Sequence, residues 1–499
     1  MTHALLASVF VIASCGLAYE LIAAALSSYL IGDSVTQFST VIGVYLFAMG
    51  VGSFLSRYVE RGLVLRFVQI ELLVAVLGGF SALGLFLVFA WLEGPFRLSL
   101  YAMVLLVGVL VGLEIPLVMR ILRQHIPFRD LVAQVLTFDY LGALAVSLAF
   151  PLLLAPHIGL VRSGLMFGIL NAGVAVWALW LFRRELHDPG WLKAQCAVVL
   201  ALLAGGFAYA ERLTQFAEQQ LYAEDIVYAR TSPYQRIVLT RWRDDLRFYL
   251  NHNLQFSSRD EYRYHEAMVH PALQTLARAK RVLILGGGDG LAAREVLRYP
   301  GIEAVVLVDL DPEVTRLFST SPVLRALNRD ALLSPRVKVV NTDALQWLER
   351  ATDVFDFIVV DFPDPSNYSL GKLYTSVFYR LLARRLAPDG LAVIQSTSPL
   401  YARQSFWCVV TTIESAELRA TPYHALVPSF GEWGFIIAGR RPFAPPERYD
   451  LEHRFLTPSV TKAMFDFPKD MARVPAEVNR LNNQVLVRYF EREWRRVIE

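Results

Sequence analysis

Apolar residues run almost unbroken from the start of the chain to about residue 210, and then the pattern changes. Stretches at 4–31, 36–56, 67–91, 98–119, 133–155, 162–182 and 191–210 approach or exceed the ~20 residues a helix needs to cross a bilayer. They predict a multi-pass α-helical membrane domain over 1–210, with six or seven helices. The first stretch lacks a basic leader, and its apolar run is too long for a signal peptide. Residues 211–225 read as a linker. Residues 226–257 alternate in "DIVYARTSPYQRIVLTRW" and "LRFYLNHNLQFSS", which predicts a small β-hairpin subdomain. "RDEYRYHEAMVHPALQTLA" repeats its apolar residues at three- and four-residue steps, as a helix does, with Ser258 or Asp260 as its cap. Strands and helices then alternate. "RVLILGGG", "EAVVLVDLD", "VKVVNTDALQWL", "FDFIVVDFPDP" and "LYTSVFYRLLARRLAPDGLAVIQST" supply them. This α/β alternation predicts a Rossmann-like doubly wound parallel sheet across 258–440, followed by a C-terminal extension over 441–499.

Charge refines this picture little. The formal net charge is +3 over 499 residues, with no Lys/Arg run, so nucleic acid is not an expected partner. Cys15, Cys196 and Cys408 form no CxxC motif, and the nine histidines show no metal-ligand spacing; no metal site is expected. In the apolar half, Arg57, Arg61 and Arg66 follow the second stretch, Arg120, Arg123 and Arg129 the fourth, and Arg183, Arg184 and Lys193 the sixth. The intervening loops carry only Arg97 and Arg162. Positive loops face the cytoplasm, so this bias places the N-terminus inside. Seven spans then put the C-terminal half outside and six put it inside. The last stretch is the weakest and could instead lie in the interface. Glu20, Glu71, Glu114 and Asp139 lie in or at the ends of the spans. Acids at such depth mark either helix–helix hydrogen bonds or a path for a cation.

The chemistry concentrates at the strand ends. "LILGGGDGLAAREVL" (283–297) is a glycine turn between a strand and a helix. Such turns cradle phosphate, yet Asp289 inside it would repel phosphate. The spacing Gly286-x-Gly288-x-Gly290 continues with Leu291, which departs from the dinucleotide pattern G-x-G-x-x-G. Asp309 ends the second strand, where an acid takes ribose hydroxyls. Asp343 is placed to meet an adenine edge. Asp361 and Asp364 end a further strand. Ligands bind at these carboxyl ends, and a nucleoside without phosphate, such as an S-adenosyl compound, fits the acids.

"SPYQ" (232–235), "LQFSSRDEYRYHEAMVHPAL" (254–273), "VLILGGGDG" (282–290), "VDLD" (308–311), "DFPDP" (361–365) and "LYTSVFY" (373–379) together resemble the spermidine synthase, or polyamine aminopropyltransferase, family. Fusion to an apolar half resembles its membrane-bound bacterial branch. The resemblance implies transfer of an aminopropyl group from decarboxylated S-adenosylmethionine to an amine, usually putrescine, releasing methylthioadenosine. The donor is a co-substrate, and no cofactor is implied. Asp289 would then attract the donor's amine. The resemblance assigns Asp361 as proton acceptor and Asp364 as holder of the acceptor amine. It places Gln235, Gln255, Tyr264 and His265 on the walls of the donor and acceptor sites. Gly286, Gly288, Gly290, Asp309, Asp343 and Ala344 match nucleoside contacts. The implied partners are polyamine and S-adenosyl small molecules and membrane lipid, with a homodimer left open. The implied location is the cell membrane, with the catalytic half in the cytoplasm, where the donor is made.

Departures from the family pattern are Asn251-His252 in place of an Asp-Gly turn, "SNYSLGK" in place of a Gly-Pro-rich lid, and Asp309 in place of Glu. An acceptor-binding Tyr is also missing near "VPSFGEWGF" (427–435), where Tyr423 is close but not aligned. Two competing readings are a polyamine transporter or sensor with a non-catalytic nucleoside domain, and an S-adenosylmethionine methyltransferase.

Overall fold

The computed structural model describes residues 2–498 apart from 32–33, 92–95, 124–126, 184, 187–189 and 223. Arg184 of the third basic loop lies outside the described residues. The chain divides into two compact units, Met1–Ile226 and Val227–Glu499.

The first unit is helical. Its helices are α1 (Thr2–Ile31), α2 (Ser34–Leu55), α3 (Leu63–Gly79), α4 (Ser81–Trp91), α5 (Phe96–Leu122), α6 (Phe128–Ala149), α7 (Leu160–Leu181) and α8 (Gly190–Leu221). α3 and α4 follow each other as one apolar segment, Leu63–Phe89. α6 runs on into π-helical turns at Phe150–Ile158, where Pro151 and Pro156 cannot donate backbone hydrogen bonds. Among the described residues, seven helical segments are long and apolar enough to cross a membrane.

Small residues let these helices meet closely. A Cβ on Gly79 of α3 would lie 2.8 Å from Leu203 of α8, and one on Gly168 of α7 would lie 2.9 Å from the same leucine. Gly206 meets Leu165, and Arg162 pairs with Glu211 at 3.0 Å. These contacts set α8 antiparallel to α7 along its length. The last apolar stretch therefore packs against α7 within the helical unit. The linker expected at 211–225 is corrected, because α8 continues to Leu221. "ERLTQFAEQQL" is rich in strong helix formers and has no Gly or Pro to stop it.

The second unit holds two sheets. β1 (Asp225–Thr231), β2 (Arg236–Trp242), β3 (Asp245–Leu250) and β4 (Asn253–Ser257) pair in sequence order. The β3–β4 turn is Asn251-His252, with φ of 47° and 71°. Two positive φ values make a type I′ hairpin, so the missing Asp-Gly pair is replaced without a change of turn.

The larger sheet contains β5 (Arg281–Gly286), β6 (Ala304–Asp309), β7 (Val337–Asn341), β8 (Phe355–Asp361), β9 (Leu386–Gln395), β10 (Arg419–Val427) and β11 (Gly431–Gly439). The strand order is β10-β11-β9-β8-β5-β6-β7. β5 to β9 run parallel, as the apolar runs predict, but β11 is antiparallel to both β9 and β10. The purely parallel expectation fails at this edge. Only a short turn joins β10 to β11, and parallel neighbours need a long crossover.

Helices α9 (Glu261–Leu273), α10 (Leu291–Val296), α11 (Pro312–Thr320), α12 (Pro322–Asn328), α13 (Ala344–Arg350), α14 (Tyr368–Gly371), α15 (Ser376–Arg385) and α16 (Arg403–Glu414) complete this domain. Asp260 is the residue before α9, but its carboxylate does not cap that helix. It accepts instead from Ser429 N at 2.7 Å and Ser429 Oγ at 2.9 Å. The stretch after 441 contributes α17 (Pro458–Ala463) and α18 (Val485–Ile498), and it is part of the fold. Buried Asn479 donates to Gly371 O and Tyr374 O at 3.1 and 3.0 Å. Glu493 accepts from Gln404 N, Ser405 N and Ser405 Oγ at 2.7, 3.0 and 2.7 Å.

Candidate active site

The strand order reverses at β5, which has β6 on one side and β8 on the other. A crevice opens at such a switch point. Gly286 ends β5 opposite Asp361, its register partner at the end of β8. Gly286 has φ of 84°, and a Cβ there would lie 2.1 Å from the Asp361 carbonyl oxygen, so no larger residue fits. The next constraint is Gly288. A Cβ on it would lie 2.6 Å from the Asp309 carboxylate, which accepts the Gly288 N–H at 3.0 Å. Gly290 leads into α10. The glycine turn thus draws the ends of β5, β6 and β8 together.

Asp289 projects from this turn, and its Oδ1 accepts from Leu291 N at 2.8 Å. The Tyr264 hydroxyl donates to Asp361 Oδ1 at 2.6 Å. Tyr264 is held in a ring cluster with His265, Phe430 and Phe435. Asp364 accepts from Thr397 Oγ1 at 3.0 Å and Gln395 Nε2 at 3.5 Å. Gln395 also takes the Trp433 indole N–H at 3.2 Å. His265 is buried, and its Nδ1 lies 2.9 Å from Glu261 Oε2. Glu261 is in turn gripped by both terminal nitrogens of Arg294 at 2.8 Å. The His265 charge acts on both Asp289 and Asp361.

Burial dominates the electrostatics. It pushes Asp361 up to about 6, with Asp289 adding to the rise while His265 and the Tyr264 hydrogen bond oppose it. Burial likewise pushes Asp364 up to about 7 against its hydrogen bonds from Thr397 and Gln395. Asp309 is raised by burial to about 7, and Asp289 is raised for the same reason. Burial alone would depress His265, but Glu261 outweighs it and raises the imidazole. Carboxylates crowded in this way are costly when ionised, and a cationic ligand relieves that cost. The arrangement can hold cations and accept a proton.

The other residues singled out from sequence fall in different places. Gln235 donates to Asp311 Oδ2 at 3.0 Å, beside Ser232 Oγ at 2.6 Å. It therefore ties the β1–β2 turn to the end of β6. Gln255 is turned back on its own strand, donating to Asn253 O at 3.0 Å. Asp343 caps α13 through Gln346 N at 3.1 Å and pairs with Lys372 at 2.6 Å. An adenine edge would compete with those contacts. Ala344 begins α13 and is buried. Tyr423 is fully buried and donates to Ala267 O at 2.9 Å, so it is structural. Sequence reasoning passed over Asp311, Glu261, Arg294, Gln395 and Trp433. Asp311 was within reach, because "VDLD" repeats its acid two residues after Asp309. The rest act through partners distant in sequence.

Comparison with known proteins gives the family. Residues 261–443 match the spermine/spermidine synthase domain. The chain is 60% identical to polyamine aminopropyltransferase 2 of Ralstonia nicotianae, covering 99% of this chain and 98% of that one. It is 50% identical to the polyamine aminopropyltransferase of Leptospira interrogans over the whole length of both. A crystal structure of spermidine synthase in complex with the transition state analogue AdoDATO is similar at 25% identity and a TM-score of 0.47. It covers 50% of this chain and 88% of that one. The matched domain and the full-length relatives set aside the non-catalytic and methyltransferase readings. Decarboxylated S-adenosylmethionine is a substrate of this reaction, which uses no metal or other cofactor. With its motifs, strand-end acids and full-length relatives in agreement, the chain belongs to the polyamine aminopropyltransferase (spermidine synthase) family.

Proposed function

We propose that this aminopropyltransferase is anchored in the cell membrane, uses putrescine as its acceptor and makes spermidine, with Asp361 as proton acceptor. The observation that carries the mechanism is the Tyr264 hydroxyl on Asp361 at the carboxyl end of β8, beside the acid-bearing glycine turn. The acceptor arrives as an ammonium, whose pKa is near the ~10 of a lysine side chain. Asp361 takes one proton, and the freed lone pair attacks the methylene carbon next to the sulfonium. A C–N bond forms and the C–S bond breaks. The C–S electrons neutralise sulfur, so methylthioadenosine leaves uncharged. Asp364 holds the acceptor's charge and Asp289 the donor's amine, with Asp309 on the ribose. Orientation between these acids supplies much of the rate.

Membrane anchoring is supported by the seven apolar segments and by outward side chains such as Phe47 and Leu152, each 66% exposed. A helix apolar on every face suits lipid. With seven crossings the arginine bias puts the C-terminus outside, whereas the donor, made in the cytoplasm, requires the catalytic half there. We take substrate supply as decisive, because six crossings satisfy both. A reporter fused after Glu499 tests the side, and a periplasmic signal would overturn it. Acceptor identity is tested by kcat/KM across putrescine, cadaverine and spermidine with the products identified by mass. Putrescine should lead, and a higher value for another amine would replace it.

A further inference from the structure

The helical unit contains two acids that aminopropyl transfer does not use. Glu71 of α3 and Glu114 of α5 are both 0% exposed, and none of their four carboxylate oxygens has a hydrogen-bond partner. α3 packs on α5. The two carboxylates act on each other, and both act on the Cys15 thiol and Tyr19 hydroxyl of α1. Glu114 also acts on Tyr45 of α2, whose hydroxyl is already spent on Gly16 O at 2.8 Å. The acids therefore face one shared region of the bundle.

Independent orphaned groups point into the same region. Tyr19 is buried against Gly78 of α3, and its hydroxyl has no partner. Asn171 of α7 is 0% exposed, and both of its amide atoms are unpaired. The helix register brings it to the acids. Gly79 meets Gly164 and Gly168, and the Ala75 carbonyl meets Gly168, so α3 and α7 run antiparallel. One further turn along α3 sets Glu71 level with residue 172, beside Asn171.

Among the described residues of this unit, the basic side chains, from Arg57 to Arg212, sit towards the helix ends, and none hydrogen-bonds to either glutamate. An unpaired buried carboxylate is strongly disfavoured, and acids at this depth mark cation or proton routes. Among the described residues, no three His, Cys, Asp or Glu side chains group to hold a metal ion. An ammonium group asks for less. It brings one positive charge and three N–H donors, for which the two glutamates, the tyrosine oxygen and the amide oxygen offer acceptors.

We propose that Glu71 and Glu114 form a second polyamine site, which binds one primary ammonium group in exchange for one proton. With no polyamine bound, both carboxyls hold their protons, since neither has a countercharge. When the ammonium enters, one carboxyl gives its proton to water and the carboxylate so formed pairs with the ammonium. Charge is conserved and no redox partner is needed. The choice of a polyamine as ligand rests on the aminopropyltransferase reading, whereas the site itself does not. Its position makes the helical unit a binding element for the product or acceptor of the reaction.

The test titrates spermidine into the purified full-length protein in detergent with dilute buffer, recording bound ligand and released protons. The unaltered protein should release about one proton more per chain than the Glu71→Gln/Glu114→Gln protein, as linkage requires. In that variant the second spermidine should bind at least about tenfold more weakly, as expected for a lost buried charge pair. Methylthioadenosine release should be unchanged in it. Glu71→Gln alone serves if the double variant does not fold, and it should show the same loss. Equal stoichiometry and equal proton release in all forms would overturn the proposal. Release of the same proton by sodium or potassium chloride would overturn the assignment to an ammonium. Intact proton exchange without methylthioadenosine release would count against the catalytic reading and leave this site standing.

Discussion

Replacing Tyr264 with Phe removes one hydrogen bond from Asp361 and little else. The ring keeps its contacts with His265, Phe430 and Phe435. The lost bond is a 2.6 Å O–H contact to Asp361 Oδ1, and it is one of two influences that hold the carboxyl down at about 6. A hydrogen bond to a charged group contributes about 1.5–3 kcal/mol, and one pKa unit corresponds to about 1.4 kcal/mol. The full bond would thus shift Asp361 by about 1–2 units. Asp361 is only half-buried, so water replaces part of the loss, and about 0.5–1 unit is expected. Only the ionised form accepts a proton, so the acidic limb of kcat/KM should move upward. The assay is methylthioadenosine release between pH 5 and 9, with donor and putrescine well below saturation. The limb should lie near 6–7 in the unaltered enzyme, where Asp361 and Asp364 titrate together, and should rise in Tyr264→Phe. An unmoved limb, or one displaced downward, would refute the role of Tyr264 in tuning Asp361.

Other consequences follow from the same geometry. Gly288→Ala places a methyl group 2.6 Å from the Asp309 carboxylate. It should raise KM for the donor and lower stability by about 1–3 kcal/mol, as overpacking does, measured by kinetics and thermal melting. Glu261→Gln should destabilise by about 3–5 kcal/mol, because it strands buried Arg294. Glu261 is held down to about 2 despite burial, by His265 and Arg294. Its contribution is present above its ordinary value of 4.5 and lost as pH falls towards about 2, so the gap in Tm between the two proteins should close in acid. Asp364→Asn should raise KM for the amine more than it lowers kcat, since that side chain holds charge and takes no proton.

The sheet and its acids were legible in sequence because strand period and strand ends are local signals. Asp289, Asp309 and Asp361 each close or follow an apolar run, and the fold brings them together at the switch point. The supports were not legible. Glu261 and Arg294 are 33 residues apart, and Ser232 and Asp311 are 79 apart, so neither pair leaves a local pattern. The antiparallel β10–β11 edge was missed because "TPYHALVPSFGEWGF" carries no helix between its strands and was not read for pairing. The helical end of α8 was read as a linker because polarity rose there, although polarity alone does not end a helix without a breaker. Gln255 was assigned through resemblance, and Asp343 from its strand-end place as well, and their contacts here are with Asn253 and Lys372. A matched motif fixes a position in the chain, while the partners of its side chain depend on the loops around it.

The central claim is that Asp361 accepts the proton while the amine displaces methylthioadenosine. The most direct test gives the purified full-length enzyme decarboxylated S-adenosylmethionine and putrescine, and compares it with Asp361→Asn. Asparagine can still accept the Tyr264 hydrogen bond but cannot take the proton. The account predicts methylthioadenosine and spermidine in equal amounts from the unaltered enzyme, and a rate about 10²–10⁴-fold lower in the variant, with donor binding retained. A variant that keeps the full rate would contradict it.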